Sequence, residues 1–174
     1  AAIDLGVVAE SVTSGTAGSK FSTSTYPVIN LEMATIDDWG YCTTAQTNIS
    51  EDIVTLRATG HPILGTLSGD VTVGNATATM NYVTFANCGA GAVRIADTEG
   101  TTDACIIAWE KGATVGDASA AAHRRVFFGM TSTTSYTTNG LTLIENAIIW
   151  ANGTTPPPLT GLLGFPSSVL VGDG

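Results

Sequence analysis

"IDLGVVAE", residues 3–10, is a near-continuous apolar run, the pattern of a strand buried on both faces. "YPVINLEM" (26–33) repeats it. Between them lies "SVTSGTAGSKF", a loop of small residues that leads into a short helix. Two buried strands joined by a connection of about a dozen residues predict a β-α-β crossover, because parallel neighbours need a link that recrosses the sheet. "TIDDWGY" (35–41) follows as a loop or a single helical turn.

The pattern then changes. "DIVTLRA", "GDVTVGN", "ATMNYVTFA", "GAVRIAD" and "ACIIAWEKGA" are short, partly alternating and rich in β-branched residues, with Gly, Asn and Asp between them. They predict sheet with tight connections. His61-Pro62 interrupts the series as a turn. "RRVFFGM" (124–130) returns to a buried strand, and "TTNGLTLIENAIIWANG" (137–153) predicts the longest helix. Its apolar face is read as Leu141, Ile144, Ala147, Ile148 and Ala151, widened by Leu143 and Trp150. Thr137 or Thr138 caps its start and Gly153 ends it.

Composition narrows the function classes. Charged residues make up 12% of 174, and the formal net charge is −9 with only six Lys and Arg. So few cations argue against nucleic acid, whose phosphates must be neutralised, and against anionic membranes. No apolar run reaches the roughly 20 residues of a membrane-spanning helix. A surface of Thr, Ser, Ala and Gly in place of charge reads as extracellular or cell-surface. Asn48, Asn75 and Asn152 stand in N-x-Ser/Thr triplets and are candidate glycosylation acceptors, although such triplets also arise by chance in a chain this rich in Thr and Ser.

There are three cysteines and no Cys-x-x-Cys, which argues against zinc and thioredoxin-type chemistry. Cys42 and Cys88 lie in polar, turn-rich contexts, and Cys105 in the apolar "ACIIAW". Two states fit: a Cys42–Cys88 disulfide with a buried free Cys105, or three buried thiols. No metal or cofactor motif is present.

Several segments together resemble the class I glutamine amidotransferase-like fold, in its secreted, trehalose-utilisation-like branch. "HRRVFFGMTSTTSYTTNGLTLIENAIIWANG" is similar to that fold's last strand and helix. "GHPILGTLSGDVTV" is similar to its His-Pro turn before a strand, "IIAWEKGA" to its aromatic-Glu-Lys-Gly segment, and residues 3–32 to its central strand, elbow loop and next strand. The resemblance implies an α/β, flavodoxin-like three-layer sandwich over residues 1–153, here with an added β-rich region. It also implies a gap, since the family opens with a β-α-β unit before the equivalent of "IDLGVVAE". Without that unit, Ile3, Leu5, Val7 and Val8 form an open apolar edge able to template pairing with another strand.

The end of the chain offers an occupant. "TTPPPL" breaks the helix, and residues 154–158 form a Pro-rich spacer. Residues 159–174 form an arm carrying Leu162, Leu163, Phe165, Val169, Leu170 and Val171, too apolar for a solvated tail. Within it "SSVLVGDG" has the form of a strand and glycine turn, and resembles the family's absent first strand. Strand addition would complete the sheet of the same or a neighbouring subunit; head-to-tail donation builds filaments.

The family's chemistry is not carried over. Amidotransferases place a nucleophilic cysteine on the elbow after the central strand; this elbow holds Ser11, Thr13 and Ser14, and none of the three cysteines. His61 and His123, the two imidazoles, read as structural or exposed. Glu32, Asp37 and Asp38 cluster after the second buried strand, where α/β folds bind ligands, and form the candidate ligand site. Asp97, Glu99 and Asp103 form a second acidic loop, and Arg124-Arg125 a candidate anion contact with one arginine paired to a nearby acid. The leading expectation is a non-catalytic extracellular structural subunit that assembles with copies of itself. The alternatives are a carbohydrate-binding or sugar-processing module using Glu32 and Asp38, or a fragment of a larger secreted protein.

Overall fold

A computed structural model describes residues 4–44, 47–75, 79–130 and 136–153. Ile3 of the expected edge, the spacer and the whole arm, with Leu162, Leu163, Phe165, Val169, Leu170 and Val171, lie outside the described residues.

The elements run β1 (Gly6–Val8), α1 (Ser14–Ala17), β2 (Val28–Asn30), β3 (Thr47–Ser50), β4 (Ile53–Leu56), β5 (Asp70–Thr72), β6 (Thr79–Thr84), β7 (Ala92–Thr98), β8 (Asp103–Trp109), β9 (Arg125–Phe128) and α2 (Thr138–Ala151). The fold is mixed α/β, mostly sheet with one main helix. Strand order is β1-β2-β9-β8-β7-β4-β5, with β6 pairing β8 and β3. Only β1, β2 and β9 run parallel; the remaining pairings are antiparallel. The parallel neighbours β1 and β2 are joined through residues 9–27, which include α1 and are long enough to recross the sheet, whereas β7 and β8 are joined by the tight turn 99–102, which can only reverse the chain.

Two apolar layers flank the sheet. On one face α2 covers Ile29, Leu31, Val126 and Phe128. On the other, α1, the 3-10 turn Met33–Thr35 and the loop through Tyr41 cover Val8, Val28, Ile107 and Phe127. Cys42 is bonded to Cys88 across this second layer, and Cys105 is a buried free thiol. Burial pushes the Cys105 thiol well above its ordinary range, so it is an inert core group. Gly129 lets β9 cross close to its neighbours: an added Cβ would meet the Asn81 carbonyl oxygen at 2.0 Å.

The helix forms where the sequence places it. The Thr137 hydroxyl accepts from the Gly140 N–H at 3.3 Å, as an N-cap should. Of the expected apolar face, Leu143, Ala147, Trp150 and Ala151 are buried, together with Gly140 and Asn146, whereas Ile144 and Ile148 are half-buried and Leu141 is 46% exposed, so the face is rotated from the expected one. Two contacts set the rotation. Gly140 lies against the Val73 carbonyl, where a Cβ would come within 2.4 Å, and Asn146 donates to the Ile63 carbonyl at 3.2 Å. A close backbone approach and a buried amide outrank the higher hydrophobicity of Leu141, Ile144 and Ile148.

Candidate functional site

β1 stands at the end of the sheet and, among the described residues, pairs only with β2. The direction of its backbone groups follows from two bonds. Gly6 donates to the Pro27 carbonyl at 2.9 Å, and the Val8 carbonyl accepts from Leu31 at 2.9 Å. Residues 6 and 8 thus face β2, and strand alternation turns the Val7 N–H and C=O to the open side. The Val7 side chain, on the α2 face opposite buried Val8, is 49% exposed. Leu5 is half-buried against the α2-side core. Of the four expected edge residues, Val7 turns its backbone pair away from β2, with no partner for it among the described residues, and Val8 is a core residue that anchors the strand.

At the C-terminal ends of the parallel strands the expected ligand site does not come together as a trio. Glu32 is 7% exposed and accepts from the Ala34 N–H at 3.1 Å, capping the 3-10 turn. Burial raises its carboxyl above the usual range, and Glu10 raises it further. Asp37 and Asp38 are exposed on the following turn. Asn30, fully buried, accepts from the Glu32 N–H at 3.1 Å and the Thr35 hydroxyl at 3.2 Å, which fixes the turn. The sequence signal was three carboxylates close in the chain; their different burial is tertiary.

The elbow after β1 and the two imidazoles occupy opposite ends of the parallel strands. The elbow Ser11, Thr13 and Ser14 follow β1 at its C-terminal end. His61 packs against Trp150 at 5.1 Å between ring centroids, the rings tilted by 53°, at the C-terminal end of α2, and its ring nitrogen accepts from the Ile63 N–H at 3.3 Å. His123 immediately precedes Arg124 and β9, and accepts from the Arg124 N–H at 3.0 Å. Burial lowers the pKa of both rings, with Arg124 contributing in each case. No imidazole therefore stands where it could take a proton from an elbow hydroxyl. An open depression of about 310 Å³ at this lower end is lined by Asp4, Thr25, Tyr26, Pro27, His123 and Asn152.

The other candidates resolve into structural roles. Asp97 is fully buried and pairs with both Arg57 and Arg94. Glu99 is exposed, and Asp103 accepts from the Thr84 hydroxyl at 3.4 Å. Arg124 pairs with Glu110 at 2.8 Å and lies over the Trp150 ring at 4.8 Å. Arg125 is fully buried and donates to the carbonyls of Ser24 and Tyr26, at 2.5 and 2.8 Å, which pins the loop entering β2. These two arginines are consumed by the fold and offer no anion site. Tyr41, beside Arg125, has its phenol pushed up to about 12 by burial. Asn48, Asn75 and Asn152 are all exposed, and Asn75 donates to the Tyr136 carbonyl at 2.9 Å.

Among the described residues there is no metal-holding cluster of His, Cys, Asp and Glu, and no helix long and apolar enough to cross a membrane. No protein-family model matches the chain, and no curated protein matches it.

Proposed function

We propose that this is a non-catalytic, extracellular structural domain whose β1 edge accepts a strand, and that the C-terminal arm supplies it. We read the parallel β1-β2-β9 trio as the remnant of a flavodoxin-like sheet with an antiparallel region added to it. The observation that carries the reading is Val7, whose backbone donor and acceptor both face the open side of an apolar edge strand. Such an edge is a template for pairing unless it is covered or charged. Ser168 to Val171 match it in length and apolar character. The chain from Gly153 to Ser168 can span roughly 50 Å when extended, which allows donation to its own body or to a neighbour. Exchange between neighbours gives a head-to-tail assembly. The separation of the elbow hydroxyls from both imidazoles supports the absence of catalysis, and the Cys42–Cys88 bond supports an oxidising location.

The test uses the full chain, a Val7→Pro variant and a chain lacking residues 159–174. Proline removes the outward N–H of Val7 and leaves the hydrogen bonds to β2 untouched. Sedimentation and electron microscopy should show oligomers or fibres for the full chain and monomers for both variants. A full chain that stays monomeric at high concentration, with the Val7 amide exchanging freely with solvent, would refute strand acceptance. A monomer with that amide protected would refute the assembly and retain the acceptance.

A further inference from the structure

We infer that the exposed flank of α2 is the seat of residues 162–165, Leu-Leu-Gly-Phe, the part of the arm that precedes its strand. The inference rests on the strand-acceptance reading and adds a second contact to it.

Helical geometry defines the flank. At about 100° per residue, Leu141, Ile144 and Ile148 fall on one side of the buried face, and Asn139, Asn146 and Trp150 on the other. The second side is occupied: Asn139 donates to the Thr72 carbonyl at 3.3 Å, Asn146 to Ile63, and Trp150 packs against the tilted ring of His61. Those partners belong to β5 and to the 3-10 turn after β4, at the far end of the strand order from β1. The first side consequently faces the β2–β1 end of the sheet. There Ile144 and Ile148 are only partly buried, against the same core that Leu5 borders. Among the described residues the exposed large hydrophobics are Val7 and Leu141, and both belong to this face and this end.

The occupant is argued from chemistry and reach. Residues 159–171 carry no charge, and the flank itself is aliphatic. Leu162 is nine residues beyond Gly153, a reach of about 30 Å when extended, against about 21 Å for the whole of α2. The arm can therefore turn back along the helix before it enters the β1 edge, and Leu162, Leu163 and Phe165 can replace water on Leu141, Ile144, Ile148 and Val7.

Cysteine cross-linking tests this directly. In a Cys105→Ala background, Ile148→Cys is combined with Leu163→Cys, and Thr142→Cys with Leu163→Cys serves as the control, about 120° around the helix from Ile148 and next to the occupied side. After mild oxidation, peptide mapping should find the 148–163 disulfide at least fivefold more abundant than the 142–163 one. Circular dichroism confirms that both variants are folded. Equal yields, or none at either position, would overturn the flank seat. The two readings fail separately. A flank failure leaves the Val7→Pro effect on assembly intact, and a strand failure leaves the 148–163 cross-link in place when residues 168–174 are removed.

Discussion

Opening the Cys42–Cys88 bridge should lower stability by about 4 kcal/mol. The bonded residues are 46 positions apart. Closing a loop of that length removes about 13.5 cal/mol/K of entropy from the unfolded chain, or about 4 kcal/mol at 25 °C in the chain-entropy model. The folded state should survive the loss, because the bridge crosses the layer on the sheet and not the strand ladders. A backbone bond beside it, from the Thr43 N–H to the Asn87 carbonyl at 2.9 Å, holds the same two segments. With an unfolding entropy of about 2.1 cal/mol/K per residue over a chain of 174 residues, the midpoint should fall by about 11 °C. The assay is a thermal scan by circular dichroism on the oxidised protein, the reduced protein and a Cys42→Ala, Cys88→Ala variant. Thiol titration of the unfolded, unreduced chain should find one free thiol of the three cysteines, that of Cys105. A midpoint drop below about 4 °C would show that the unfolded chain is not what the bridge restrains. A titre of three thiols would remove the bridge, and with it the support for an oxidising location.

Three further outcomes are expected. Asp97→Asn leaves two arginines without their shared carboxylate. A broken buried pair costs about 3–5 kcal/mol, and because the Arg57 side chain is 43% exposed, water should reduce this to about 2–3 kcal/mol in urea unfolding. A loss under about 1 kcal/mol would mean that solvent already screens the cluster. Gly129→Ala forces a Cβ to within 2.0 Å of the Asn81 carbonyl and 2.8 Å of the Cys105 carbonyl, both backbone. It should cost more than the about 1–3 kcal/mol of ordinary overpacking and remove soluble protein, whereas Gly15→Ala, with open space around it, should not. For pH, the folded pKa of His61 lies below its ordinary 6.5, chiefly through burial. The unfolded chain then binds the proton more readily, so His61's contribution to stability is lost as pH falls below about 6.5. His61→Asn keeps a capping acceptor and should flatten the slope of melting temperature between pH 7 and 5; an unchanged slope would show that the ring titrates alike in both states.

Much of the architecture was legible along the chain because it depends on local order. The apolar runs at 3–10, 26–33 and 124–130 each contain a parallel strand, and the five alternating segments from 52 to 113 contain the antiparallel strands β4 to β8. Thr137 and Gly153 bracket α2 because caps are short-range chemistry. β3 went unread, since "TNIS" is too short and polar to show a period.

What the residues could not decide alone is which side of an element meets the rest. The apolar stripe of α2 is wide enough to permit several rotations, and a contact between Gly140 and Val73, 67 residues apart, selects one. The cluster Glu32, Asp37, Asp38 is a single acidic patch in the sequence, and packing divides it into one buried cap and two solvated carboxylates. Hydrophobic periodicity and capping act over a few residues and are written into the chain. Rotation, burial and the direction in which Val7 presents its backbone depend on groups that meet only when the sheet has formed.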